Sequence, residues 1–386
     1  MNPNHLADIR AGTEAECVRS GSGYRIGPTL VLTARHVLLD DDGGILPKVE
    51  VWLGHPEFGS PRPYPAQVVD WRPPGGLDVA LLRIAGAPAY GPPVHWGRLT
   101  GTDTVPYTGL GFPHFAEYTP GDRNVEQLTG NLNPLSIGPD GCIPIDQDAH
   151  PVTGHAAGGD RRVRHWSGVS GAAIFSNPPP SSSGAVRRLL IGVVVADDTE
   201  FGGARLHAVP VAALWRDERF TALLVADTGA RPVLESVELQ GLLRPERRAH
   251  PAGTPGSLLA ADREIVPFQG REDLLRRLSE WRDAPEPFGI QLITGEGGQG
   301  KTRLAREFAA RCPSDWVVGF LDAPHPSLEE NGGPTAEVIA RLCRTAKPVL
   351  VIADYAESTP QRVSALVQAL LSNAPQRPVR LLLLAR

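Results

Sequence analysis

From about Thr29 to Leu223 the apolar positions come in short runs broken by Gly, Pro, Asn and Asp. Residues 29–33, 48–52, 78–84 and 189–195 are examples. Runs this short, with turn residues between them, predict the strands of an all-β barrel or sandwich. Over 209–225 the apolar residues recur at helical spacing, with Pro210 suited to a first turn, and predict a helix closing the β region. Residues 231–264 are rich in Pro, Arg and Gly and predict a linker, with a short helix near 234–243. Beyond Phe268 the period changes. Helical patterns at 271–281, 302–310, 335–345 and 360–371 alternate with apolar strands at 289–294, 316–321, 348–353 and 379–385. That alternation predicts an α/β domain on a parallel sheet. Its last strand runs out at Arg386 with no helix to cover it, so this domain is expected to be truncated. The expected division is an all-β domain over 1–225, a linker over 226–264 and an α/β domain over 265–386. No internal repeat is visible.

Composition narrows the class. At 386 residues, with 41% hydrophobic and 21% charged residues, the chain is that of a globular protein of two or three domains. Gly (42) and Pro (38) together make about a fifth of it, which suits turn-rich β structure and a linker. A net charge of −5 gives no nucleic-acid footprint. The first twenty or so residues lack the apolar core of a signal peptide, and no apolar run is long enough to span a bilayer. Cys17, Cys142, Cys312 and Cys343 stand singly, which argues against a disulfide framework or zinc site. A cytoplasmic location is expected. Lysine occurs only at 48, 301 and 347 in a chain otherwise basic through arginine. A retained lysine therefore draws notice.

Three segments of the β region carry candidate chemistry. Thr33-Ala34-Arg35-His36 follows an apolar strand, Asp78 heads another, and Ser167-Gly168-Val169-Ser170-Gly171 precedes a third. A nucleophilic serine needs a base to take its proton and an acid to fix the imidazole tautomer. It also needs backbone N–H groups aimed at the oxyanion, and a glycine at 168 permits the close approach. These motifs, in this order, resemble the trypsin-like serine peptidases with the chymotrypsin double barrel, especially the HtrA-like branch. The resemblance covers about 15–225. It implies a triad of His36, Asp78 and Ser170, an oxyanion hole at Gly168 and Ser170, and a protein or peptide substrate. Two departures stand out. Val169 occupies the place where secreted members carry an aspartate that pairs with a freshly cut N-terminus, and no Ile-Val-Gly-Gly start is present. Arg164 lies where the resemblance puts the floor of the specificity pocket. It reads either as selecting an acidic side chain or as a solvated loop arginine.

The α/β region carries Gly295-Glu296-Gly297-Gly298-Gln299-Gly300-Lys301-Thr302 between an apolar strand and a helical pattern. This is the G-x-x-x-x-G-K-[ST] phosphate loop in its required context. Backbone N–H groups would cradle the phosphates of ATP, Lys301 would reach the β/γ oxygens, and the Thr302 hydroxyl would bind Mg²⁺. Asp354, ending an apolar strand, reads as a magnesium partner or as a helix cap. Phe268-Gln269-Gly270-Arg271-Glu272 resembles the entry motif of the STAND class of signalling ATPases, which includes NACHT proteins. In that class Arg386 matches a sensor for the γ-phosphate, and Arg271 belongs to the entry motif. Both also read as surface charges. Glu357, three residues beyond Asp354, is closer to the NACHT spacing than to the paired-aspartate form.

Together these expectations describe a multidomain chain: a double-barrel trypsin-like peptidase followed by a P-loop NTPase of the STAND type. The implied function is a protease switched by ATP-driven self-association in bacterial defence, its trigger recognised by a region beyond Arg386. Two alternatives stand beside it, a catalytically silent peptide-binding module on a signalling scaffold and an AAA-type housekeeping protease.

Overall fold

Short apolar runs need hydrogen-bonded partners on both edges, and the first part of the chain supplies them by closing two barrels. The structure, a computed structural model, describes all residues except 56–61, 120–121, 139, 152–154, 157–162, 165, 178–186, 241, 245–267, 314, 323–328 and 331–332. The chain divides into two compact units. The first holds Met1–Arg98, Asp103–Pro179 and Arg187–Pro232, and the second includes Leu99–Thr102 and Val233–Arg386.

The first barrel is built from β1 (Leu6–Gly12), β2 (Cys17–Arg25), β3 (Leu30–Ala34), β4 (Lys48–Leu53), β5 (Tyr64–Val68) and β6 (Val79–Ile84). Their order is β1-β2-β3-β6-β5-β4, closed by the antiparallel pair β1–β4. The second barrel uses β7 (Val105–Gly111), β8 (Glu126–Leu132), β9 (Ile143–Gln147), β10 (Ala173–Ser176), β11 (Leu190–Asp197) and β12 (Arg205–Pro210). Its order is β10-β7-β8-β9-β12-β11, closed by β10–β11. Counted from its own first strand, each barrel follows the same path, so one topology is used twice. Closure leaves neither barrel a free edge. The inward positions are fully buried: Ile9, Val31 and Leu82 in the first barrel, Leu128, Ile174 and Leu206 in the second.

The helix expected over 209–225 is two pieces. Pro210 ends β12, a 3₁₀ turn covers Val211–Arg216, and α1 spans Glu218–Thr228. Asp217 makes the break by capping α1, its carboxylate accepting from Arg219 N, while its other oxygen accepts from Trp71 Nε1 at 2.6 Å. Asp227, near the end of α1, accepts from the Thr29 and Leu30 amides, which ties the helix to the first barrel.

The second unit contains β13 (Leu243–Arg244), α2 (Glu272–Arg282), β14 (Phe288–Thr294), α3 (Lys301–Ala310), β15 (Val317–Leu321), α4 (Ala336–Cys343), β16 (Val349–Ala353), α5 (Pro360–Ser372) and β17 (Val379–Ala385). The sheet order is β13-β15-β16-β17-β14, parallel except for β13. Leu304 and Phe308 pack on one side of it with Leu350 and Leu382, and Ile339, Leu342 and Leu366 on the other with Val349 and Val351. Strand β14 lies at the sheet edge, and its Ile290 and Leu292 are exposed. The short helix expected near 234–243 is absent. Leu234–Ser236 is a strand, and Leu243 and Arg244 pair with Leu321 and Phe320. Sheet pairing overrides a weak local helical pattern there. Most of the expected linker lies outside the described residues. Among the described residues no helix is long and apolar enough to cross a membrane.

Candidate active site and glycine-rich loop

The β3–β6 ladder brings the first two candidate residues together. Its register pairs Leu30 with Arg83 and Ala34 with Val79, so the turn after β3 meets the residue before β6. His36 lies in the 3₁₀ turn Arg35–Leu38, and Arg35 N donates to Asp78 O. Asp78 then receives two bonds from one residue. His36 N donates to Oδ1 at 2.9 Å, and His36 Nδ1 bonds Oδ2 at 2.5 Å. With its Nδ1 proton committed to the carboxylate, the imidazole presents Nε2 as an acceptor. Both side chains are partly exposed.

Ser170 comes from the second barrel, in the turn before β10. Its carbonyl accepts from Ser22 N at 2.7 Å, on the strand next to β3, and Gly171 N donates to Val194 O. A Cβ at Gly171 would run into Ser22 O and Thr33 Oγ1. The turn thus docks flush on β2 and β3. Among the described residues no hydrogen bond joins Ser170 Oγ to His36. Such contacts commonly tighten only when substrate binds.

The peptides bearing the two candidate oxyanion donors are held by their carbonyls. Ser167 O accepts from His114 N, and Val169 O accepts from Ala172 N, both at 2.8 Å. In a trans peptide the N–H points opposite to the C=O, so these bonds set the direction of the Gly168 and Ser170 N–H groups. Neither N–H has an acceptor among the described residues.

Sequence reasoning missed the polar side chains behind this turn. Ser22 Oγ accepts from Phe112 N at 2.9 Å and donates to Gly168 O at 2.8 Å. The His114 ring bonds Ser20 Oγ at 2.6 Å and Ser167 Oγ at 3.3 Å. Arg123, almost wholly buried, pairs with buried Asp8. The one signal in the sequence was Asp8 itself, a charge within an apolar strand. Arg164 pairs with His155 through the backbone, and its side chain lies outside the described residues.

In the second unit the glycine-rich loop 295–300 follows β14, and α3 begins at Lys301. Lys301 Nζ donates to Gly295 O at 2.5 Å and to Glu296 O at 2.9 Å. Thr302 Oγ1 donates to Asp354 Oδ2 at 3.0 Å, across from the end of β16. Arg271, at φ +60° before α2, donates through Nη2 to Gln299 O at 2.6 Å. The Arg386 guanidinium lies 5.8 Å from the centre of the Tyr355 ring, next to Asp354 in the chain. The structure therefore gathers Arg271, Gln299, Lys301, Thr302 and Asp354, and reaches Arg386 through Tyr355. Among the described residues no group of three or more His, Cys, Asp or Glu side chains could hold a metal alone.

No family model and no curated protein matches the chain. Among solved structures it is similar to an inactive form of Rv3671c from M. tuberculosis H37Rv, at 19% identity over 60% of this chain and 90% of that one, with a TM-score of 0.32. It is also similar to Deg5, at 18% identity over 58% and 91%, TM-score 0.38. A Glu endopeptidase in complex with MPD matches at 15% identity over 58% and 91%, TM-score 0.38. Identities this low leave function to be read from the site itself.

Proposed function

We propose that the first unit is a trypsin-like serine endopeptidase and that the second is a nucleotide-binding module that controls it. The observation carrying the first half is the two-point bond between His36 and Asp78, which orients an imidazole for work at Nε2. Ser170 Oγ attacks the scissile carbonyl of a protein substrate while His36 Nε2 takes its proton. The tetrahedral oxyanion is received by the Gly168 and Ser170 N–H groups. His36 then returns the proton to the leaving amine, and water repeats the cycle on the acyl-enzyme. Asp78 steadies the imidazolium that forms.

A fluorophosphonate probe tests this directly. Labelling of Ser170 is expected in the native chain, with none in Ser170→Ala or His36→Ala. A folded chain that neither labels nor hydrolyses any peptide would make the unit a peptide-binding module.

The residues of the second unit fit a nucleoside triphosphate with Mg²⁺. The space in front of Gly297 and Gly298 is open, nothing lying within 4 Å of a Cβ built there, so phosphates can approach the backbone closely. Lys301 would balance the β/γ charge, and Thr302 with Asp354 would hold Mg²⁺ jointly with phosphate oxygens, being too few ligands to hold it alone. Arg271 would contact the loop and Arg386 the γ-phosphate side. Bound nucleotide supplies a concentrated negative charge and a cleavable phosphoanhydride bond. STAND-type self-association in the cytoplasm would then raise the local concentration of peptidase units in response to a trigger, in a defence role. Proteolysis that rises with ATP, Mg²⁺ and trigger together, and that Lys301→Ala blocks, is the expected behaviour. The same rate with and without nucleotide would remove the control role.

A further inference from the structure

We propose that Arg123, neutralised by Asp8, is a positioning residue for the oxyanion turn, bracing Gly168 from behind. The inference rests on the peptidase reading. The Arg123 and Asp8 side chains are only 4% and 6% exposed. A charge so buried must be matched by partners at close range, and these partners converge on the nucleophile turn. Arg123 Nη1 donates to Phe112 O at 2.5 Å, and Nη2 donates to Asp8 Oδ1 and to Gly21 O, the latter at 3.3 Å. Arg10 completes Asp8 by donating to Oδ2 at 2.9 Å. One guanidinium thus ties β1 and β2 of the first barrel to the segment following β7 of the second.

Gly168 rests on that guanidinium. Its φ is +91°, and a Cβ built there would lie 2.5 Å from Arg123 Nη1 and 2.6 Å from Phe112 O. A glycine has no side chain to restrain its own peptides, so their orientation has to come from neighbours. Here they are the guanidinium, the Phe112 carbonyl that it fixes, and the Ser22 hydroxyl between Phe112 N and Gly168 O, beside the His114 N–H that holds Ser167 O. Val169, fully buried and uncharged, offers no ion pair for the task. The brace joins β1 and β2 to the segment between β7 and β8, so it forms as the two barrels fold. Removing Arg123 strips Phe112 O of its donor and opens space behind Gly168. Gly168 can then relax into that space, and its N–H, still tethered through Ser167 O to His114 N, shifts off the oxyanion position.

The test uses the full chain with p-nitrophenyl acetate, separating the maximal acylation rate from the half-saturating concentration, and with phenylboronic acid as the mimic of the tetrahedral adduct. Arg123→Met should lower the maximal rate about 10²-fold, the value of one oxyanion donor, with half-saturation moved less than about threefold. Boronate affinity should fall in parallel, whereas a merely structural role would leave it unmoved in the folded fraction. Because Arg123→Met leaves Asp8 Oδ1 without its donor, Asp8→Asn/Arg123→Met is made beside it, removing both charges while keeping their bulk, and should show the same loss. A folded variant with the native rate, or one whose rate falls while boronate affinity holds, overturns the proposal. A native chain that neither turns over the ester nor takes a fluorophosphonate overturns the peptidase reading instead.

Discussion

Two glycine turns, one in each unit, are built in opposite ways. At Gly168, with φ +91°, the space a side chain would take is filled by Arg123, Phe112 O and the His114 ring. At Gly298, with φ +79°, nothing lies within 4 Å of that space, and the same holds at Gly297. The first turn is glycine because protein atoms press on it. The second is glycine so that its backbone stays bare. A turn packed from behind has its N–H directions set in the resting protein, which suits a reaction whose transition state must find its donors already in place. A bare turn takes its final contacts from what it binds.

The largest expected effect lies at the packed site. Ser170→Ala should lower ester and peptide hydrolysis by roughly four orders of magnitude or more, with the melting temperature nearly unchanged. Retained turnover in that variant would remove the nucleophile assignment. Gly168→Ala should cost about 10²–10³ in turnover and about 1–3 kcal/mol in stability, since backbone and a buried arginine must move. Gly298→Ala, at a similar φ but in open space, should cost about 1 kcal/mol and leave ester hydrolysis unchanged. Equal losses of hydrolysis from the two glycine variants would erase the contrast. Lys301→Ala should weaken ATP binding roughly ten- to a hundredfold, the worth of a charge-assisted phosphate contact, measured by calorimetry beside an unchanged ester assay. Unchanged affinity would reduce the loop to a turn.

The smallest effect concerns pH. His5 is buried and stacked on Tyr90 with ring centres 4.6 Å apart, and burial, helped by nearby Arg25, lowers its pKa to about 4. The unfolded chain binds a proton on this residue near pH 6.5 and the folded one does not until about pH 4, so stability should fall as pH drops through that window. His5→Phe keeps the stacking and should narrow the difference between melting temperatures at pH 7 and pH 4.5. An unaltered difference would show that other groups dominate acid sensitivity.

The parts of the site legible in the sequence were those where chemistry and local structure share a short segment. His36 sits directly after an apolar strand and Asp78 directly before one, so alternation and residue type pointed to both. Lys301 and Thr302 lie within one loop whose glycines sign its shape. Arg123 carried no such mark. It meets Asp8 across 115 positions, and Ser22 meets Gly168 across 146. The repeated strand path of the two barrels was equally invisible, because pairing order leaves no trace in residue identity when the paired surfaces share only apolarity.

By itself, then, the amino-acid order determined the short strands, the change of period beyond Phe268, the glycine-rich loop and the types of candidate residue, all of which depend on neighbours a few positions apart. The tertiary structure decided which strands close on which, that a strand stands where a weak helical pattern runs after Leu234, and that a buried arginine lies against Gly168. Those outcomes depend on burying apolar faces and pairing charges between segments far apart in the chain. No local pattern encodes the partner in such a contact. Only the closed barrels bring the partners within reach.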